Sequence, residues 1–102
     1  MSALGDDRGG ASSEVNRIAQ VQAELTQRIV GLSRGRLQPA DLDPVGRLLD
    51  RGWVDSITLV ELLAFVEARW RVRVAETRLT GRLGTLAALA EHVVREGKPA
   101  HD

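Results

Sequence analysis

Asp55-Ser56-Ile57-Thr58-Leu59-Val60-Glu61-Leu62-Leu63-Ala64-Phe65-Val66-Glu67-Ala68-Arg69-Trp70 reads as one helix. With Leu59 set at zero and about 100° per residue, Leu62, Leu63, Val66 and Trp70 fall within roughly 60° of it. Those five side chains suffice to seal one helix face against a small core. Ile57, Val60 and Ala64 fall roughly 100–160° away, and Phe65 lies toward the back on the other side. The helix is therefore more apolar than one buried face requires. Either a neighbouring loop or the short helix covers the extra stripe, or Ile57, Val60 and Ala64 form a docking strip beside Glu61, as in small transient interfaces. Asp55 is placed to cap the helix, because its side-chain oxygen can accept a backbone N–H left free in the first turn.

Toward the N-terminus, residues 33–55 read as a long connection. Gly35, Pro39, Pro44, Gly46 and Gly52 interrupt any regular element there. Leu42, Leu48, Leu49 and Trp53 are the residues expected to pin this loop to the core. Long loops in small domains tend to be functional. Before it, a first helix is expected from Ser12 or Ser13, with Val15, Ile18, Leu25, Ile29 and Leu32 as its apolar stripe and Gln22 filling the missing step.

After the quoted helix, Arg71-Val72-Arg73-Val74 alternates as a strand would, but a lone strand leaves its backbone unpaired, so no strand is expected. Ala75–Thr80 predicts a short helix. Thr85 predicts the cap of a last helix whose apolar face is Leu86, Leu89, Ala90, Val93 and Val94, stopped by Gly97 and Pro99. The expected fold is all-α: a small four-helix bundle of three main helices plus one short helix, with a long first loop. Residues 1–12 and 97–102 are expected to be flexible tails around a domain at 13–96.

Composition narrows the function classes. A chain of 102 residues holds one domain. Lys+Arg and Asp+Glu both total 14, so the formal net charge is zero, which argues against nucleic-acid binding by bulk positive charge. There is no Cys, which excludes disulfides, thiolate metal sites and Cys nucleophiles and fits a cytoplasmic setting. Residues 1–11 lack the basic start and apolar run of a signal peptide, and no stretch has the roughly 18 apolar residues of a membrane span. Trp53, Phe65 and Trp70 are all the aromatics, so the core is expected to be mostly Leu, Val, Ile and Ala.

Asp55-Ser56 carries the chemistry. Both residues are favoured as helix caps. A serine at the head of a helix, after a long loop, is also a plausible site for a phosphate ester, since the first turn offers free N–H groups and the positive end of the helix dipole.

The run from Leu48 to Leu63 resembles acyl carrier proteins, the phosphopantetheine-binding carriers. The residues that carry the likeness are Leu49, Gly52, Asp55-Ser56-Ile57 and Glu61-Leu62, followed by Glu67, Trp70 and Val72-Arg73-Val74. It spans about residues 13–96. It implies that Ser56 takes a 4′-phosphopantetheine arm from coenzyme A by way of a separate phosphopantetheinyl transferase, and that Asp55 assists that enzyme and its magnesium. It places Ile57, Val60, Glu61 and Ala64 on the recognition face. It further implies a non-catalytic, monomeric carrier of an acyl or aminoacyl thioester, loaded by a ligase and read by downstream biosynthetic enzymes. Polyketide, fatty-acid and nonribosomal-peptide routes all use such carriers. Peptidyl and D-alanyl carriers remain open as subtypes, the latter through Val60-Glu61-Leu62-Leu63.

The chain departs from the family in charge. Many acyl carriers are strongly acidic, whereas Arg69, Arg71, Arg73, Arg78 and Arg82 cluster after the quoted helix here, and Ala68 stands where a second docking acid often lies. This suits a carrier with its own dedicated partners. Thirteen arginines to one lysine is also the bias of a GC-rich bacterial genome.

Other signals are weaker. His92 and His101 lack metal-ligand spacing, and no motif supports a triad of Ser56, His92 and an Asp. Asp41, Asp43 and Asp50 do not have EF-hand spacing. The Arg cluster reads either as a solvated face or as a phosphate-binding patch. The rival from another class is an unmodified helical interaction domain, in which Asp55 and Ser56 are only a cap.

Overall fold

The computed structural model describes residues 10–97, with side-chain environments from residue 13 onward. Four α-helices follow in order: α1 (Gly10–Leu32), α2 (Ser56–Trp70), α3 (Glu76–Leu79) and α4 (Leu86–Glu96), with a 3-10 turn at Pro39–Asp41 in the first connection. This is the expected small helical bundle. Among the described residues there is no strand; an isolated antiparallel bridge joins Arg47 and Thr85.

The first helix starts earlier than expected. It begins at Gly10, so Ser12 and Ser13 lie within it and not at its start. Its buried stripe also differs by one step: Val21, Leu25 and Ile29 are buried, with Ile18 and Leu32 packed at the edge. Val21 takes the place assigned to Gln22. Val15 is 64% exposed, so the first turns of α1 lie ahead of the core it helps to seal.

The other helices match their sequence patterns. On α2, Leu59, Leu62 and Val66 are buried, with Leu63 and Trp70 partly so. On α4, Leu86, Leu89, Ala90, Val93 and Val94 are all buried, and the Thr85 side chain caps the helix by accepting the Ala88 N–H at 3.1 Å. The packing of α1 on α4 is the most extensive helix pair.

Arg71 ends α2 in a left-handed conformation (φ 60°, ψ 38°), its N–H reaching the Glu67 carbonyl at 2.8 Å. Beyond it the alternation of Arg71 to Val74 is real, but its cause is the core and not a sheet. Val72 and Val74 are buried while Arg71 and Arg73 are exposed, so an extended segment is read by burial alone.

The long connection is pinned as expected by Leu42, Leu48 and Trp53, with Leu49 partly buried, and in addition by Leu37 and Val54. Its first turn is closed by local hydrogen bonds. Buried Ser33 donates to the Val30 carbonyl at 2.6 Å and accepts the Leu37 N–H at 3.1 Å. Gly46 is a matter of space: a Cβ there would lie 2.7 Å from the Trp53 ring. Gly52 is a matter of conformation, since it turns the chain at φ +74° just before Trp53.

Candidate functional site

The start of α2 is held by its neighbours on both sides. Trp53 and Val54 are buried, and their N–H groups bond the Leu48 carbonyl at 3.0 and 3.3 Å. The Leu48 N–H in turn bonds the Gly84 carbonyl at 2.8 Å. Arg47 donates to the carbonyls of Gly81 and Thr80, each at 2.8 Å. The loop before Ser56 is thus tied to the connection before α4. Nothing in the spacing of Arg47 announced this tie, because its partners are backbone atoms more than thirty residues away.

Asp55 is the cap. Its Oδ1 accepts the Ile57 N–H at 3.0 Å and the Thr58 N–H at 2.8 Å. Thr58 answers with its hydroxyl, which accepts the Asp55 N–H at 2.8 Å and lies 3.0 Å from Oδ1. This is a capping box with Thr in the position usually held by Glu or Gln. Thr58 was missed in the sequence because it lacks the carboxyl or amide of that signature. The Thr58 N–H first, then its hydroxyl and the Ile57 N–H, with a further pull from Arg36, hold the Asp55 carboxyl below its ordinary pKa.

Ser56 is exposed at the first residue of α2 and takes no part in this cap. Its hydroxyl has no hydrogen-bond partner among the described residues. The cap also corrects the expected anion seat. Two first-turn N–H groups, those of Ile57 and Thr58, are already taken by a carboxylate, so the helix end offers an anion less than the bare sequence implied.

Along α2 from Ser56, Ile57 is 71% and Val60 49% exposed, and Glu61 and Ala64 are exposed with them. The extra apolar stripe is therefore uncovered at these positions. Phe65 is the exception. It is partly buried, with the Arg28 guanidinium 4.3 Å from its ring centre and Trp70 edge-on at 5.5 Å.

No family model matches the chain, and no curated protein matches it.

The Arg cluster separates into parts. Arg69 pairs with Glu24 at 2.9 Å and Arg73 with Glu67 at 2.9 Å. Arg78 and Arg82 instead line a concavity with His92 and Arg95. A larger concavity of about 400 Å³ lies between α1 and α2 against Phe65, Arg28 and Gln27; neither Ser56 nor the exposed α2 strip lines it. Among the described residues, no three His, Asp or Glu gather as a metal site, and no helix is long and apolar enough to cross a membrane. His101 lies outside the described residues.

Proposed function

We propose that this chain is a carrier protein that bears a 4′-phosphopantetheine arm on Ser56 and presents an acyl or aminoacyl group to partner enzymes. The observation that carries the proposal is the division of labour at the head of α2. Asp55 and Thr58 account for the cap between them. Ser56 has no hydrogen-bonding task there, and it stands exposed at the first residue of the helix. An exposed hydroxyl on a rigid helix start is what a modifying enzyme needs to reach.

The residues fit the group. Ser56 Oγ would hold the phosphodiester. Asp55, kept ionised by its hydrogen bonds, would supply the carboxylate that the family resemblance assigns to the transferase's magnesium. When bound, the arm supplies a thiol that carries cargo as a thioester. The exposed strip of Ile57, Val60, Glu61 and Ala64 begins beside Ser56 on the same helix. It offers partners an apolar contact with one acidic residue for orientation. Polyketide, fatty-acid and peptide cargo are equally compatible with this surface, and a cytoplasmic monomer is the proposed working form.

The rival is an unmodified interaction domain. It is favoured by the capping box, which explains Asp55 without any cofactor, and it leaves Ser56 unexplained. The two readings part in one measurement. The protein is incubated with coenzyme A, magnesium and a broad-specificity phosphopantetheinyl transferase, and its intact mass is recorded. A carrier gains the mass of one arm, and Ser56→Ala gains none. A wild-type mass that stays unchanged with several transferases overturns the proposal.

A further inference from the structure

We infer that the concavity between α3 and α4 is a binding site for a compact phosphate group. It measures about 260 Å³ and is lined by Arg78, Arg82, His92 and Arg95 with Glu91 and Glu96. The three guanidiniums come from three segments: α3, the turn after it, and the last turns of α4. In the sequence Arg78 and Arg82 were only part of a basic run. The fold removes Arg69 and Arg73 into ion pairs elsewhere and brings in Arg95 and His92 from α4.

The backbone turn that carries Arg82 is built before any ligand arrives. The Arg78 carbonyl accepts the N–H groups of Gly81 at 3.1 Å and Leu83 at 2.9 Å, which closes the turn that carries Arg82. Arg47 clamps the same turn from outside through the carbonyls of Thr80 and Gly81. Leu83 is buried and anchors it. Among the described residues, Arg78 and Arg82 have no acidic partner, and Arg95 meets Glu91 only at 3.9 Å. Positive charge is therefore in surplus inside the concavity.

The chemistry selects the ligand class. Guanidinium forks bind phosphate and carboxylate oxygens in pairs. Three guanidiniums from separate segments in one lining suit a tetrahedral dianion with several free oxygens, and a planar carboxylate can occupy only part of such a set. Glu91 and Glu96 in the same lining offset two of the three guanidinium charges, so the excess suits one compact anion and not an extended polyanion, and the net charge of zero gives no long-range pull on nucleic acid. The volume is below the roughly 300–1,000 Å³ of a drug-sized pocket, so a phosphate with a small attached group fits.

The site is independent of the arm, and the test uses the unmodified chain. Inorganic phosphate is titrated into the ¹⁵N-labelled protein at constant ionic strength, with acetate as the matched control. Phosphate should give saturable shifts at Arg78, Arg82, Leu83 and His92, and acetate should give only small unsaturable ones. Arg82→Ala and Arg78→Ala should each weaken phosphate binding about tenfold or more, the usual cost of losing a charge-assisted pair. Arg17→Ala, on the exposed face of α1, should leave it unchanged. The same spectra report whether each variant is folded. Equal responses to phosphate and acetate overturn the inference, as do folded Arg78→Ala and Arg82→Ala proteins that bind phosphate like the wild type.

Discussion

Leu62 and Glu61 are neighbours in sequence and lie about 100° apart around α2: Leu62 is fully buried and Glu61 is exposed. Leu62→Ala removes a side chain from a site that rigid neighbours can only partly refill, and such changes cost roughly 2–5 kcal/mol. A domain of this size is stable by about 5–15 kcal/mol in all, so a central value near 3 kcal/mol is a large share. At about 4–8 °C per kcal/mol, Tm should fall by roughly 12–24 °C. Glu61→Lys alters a surface charge and should cost less than about 0.5 kcal/mol, hence under about 4 °C. Thermal unfolding followed by far-UV circular dichroism reads both, and urea titration checks that the m-value is unchanged. Glu61→Lys should then slow a partner that reads the strip while leaving the fold intact. A Leu62→Ala protein within a few degrees of wild type would refute the register of α2, and a large Tm loss in Glu61→Lys would make Glu61 structural.

Three further outcomes follow from the same geometry. Gly46→Ala sets a Cβ 2.7 Å from the Trp53 ring and should destabilise by roughly 1–3 kcal/mol with a shift in tryptophan emission, whereas Gly31→Ala, in α1 with nothing within 4 Å, should raise Tm as a better helix former; equal effects of the two would contradict the packing described. Because the folded Asp55 pKa lies below its ordinary 3.8, the stabilisation from its ionised form is complete above pH 3.8 and is lost as pH falls through the lower folded value. Thr58→Val keeps the backbone N–H and removes the hydroxyl, so the Asp55 carboxyl titration, followed by ¹³C NMR, should move part of the way up toward the ordinary value, and an unmoved midpoint would remove the Thr58 hydroxyl from the cap. Ser56→Ala should keep or slightly raise Tm while abolishing arm loading, and a Tm drop of several degrees would show a structural role for that hydroxyl.

Most of the fold was legible because it rests on local signals. α4 has a strong apolar periodicity, α2 and α4 each have a side-chain cap at the residue before the helix, and both bounds agree with those signals. α1 was less legible at its start, because Val15 looks like the first rung of the stripe but lies beyond the core that would cover it. The identity of its central rung was lost because Val21 and Gln22 are adjacent, and a one-residue change rotates the stripe by only about 100°. The tertiary ties of the loop were not legible at all. Arg47 to Thr80 and Gly81, Leu48 to Gly84, and Ala87 to the Pro44 carbonyl at 2.9 Å are contacts to backbone atoms, and backbone atoms leave no residue-type signature. The site divided in the same way: Asp55 and Ser56 stood out as a pair, while Thr58 and the split of the arginines emerged only from the fold.

Those backbone ties bear on function through rigidity. An exposed serine on a loose loop can be modified by many enzymes and presents no fixed surface to any of them. Ser56 is instead one residue from a fully formed cap and two from Val54, which is buried and bonded to Leu48, which is bonded in turn to the start of the α4 connection. The hydroxyl is thereby referenced to the core through a short chain of hydrogen bonds while remaining outside it. Ile57, Val60 and Glu61 share that frame because they are on the same helix. A partner that docks on the strip therefore meets Ser56 at a fixed offset with little reorganisation, and low reorganisation is what allows a small contact to be specific and still release quickly. Loosening the frame without touching the strip, as by removing the Arg47 guanidinium, should therefore impair recognition of Ser56 even where every contacting residue is retained.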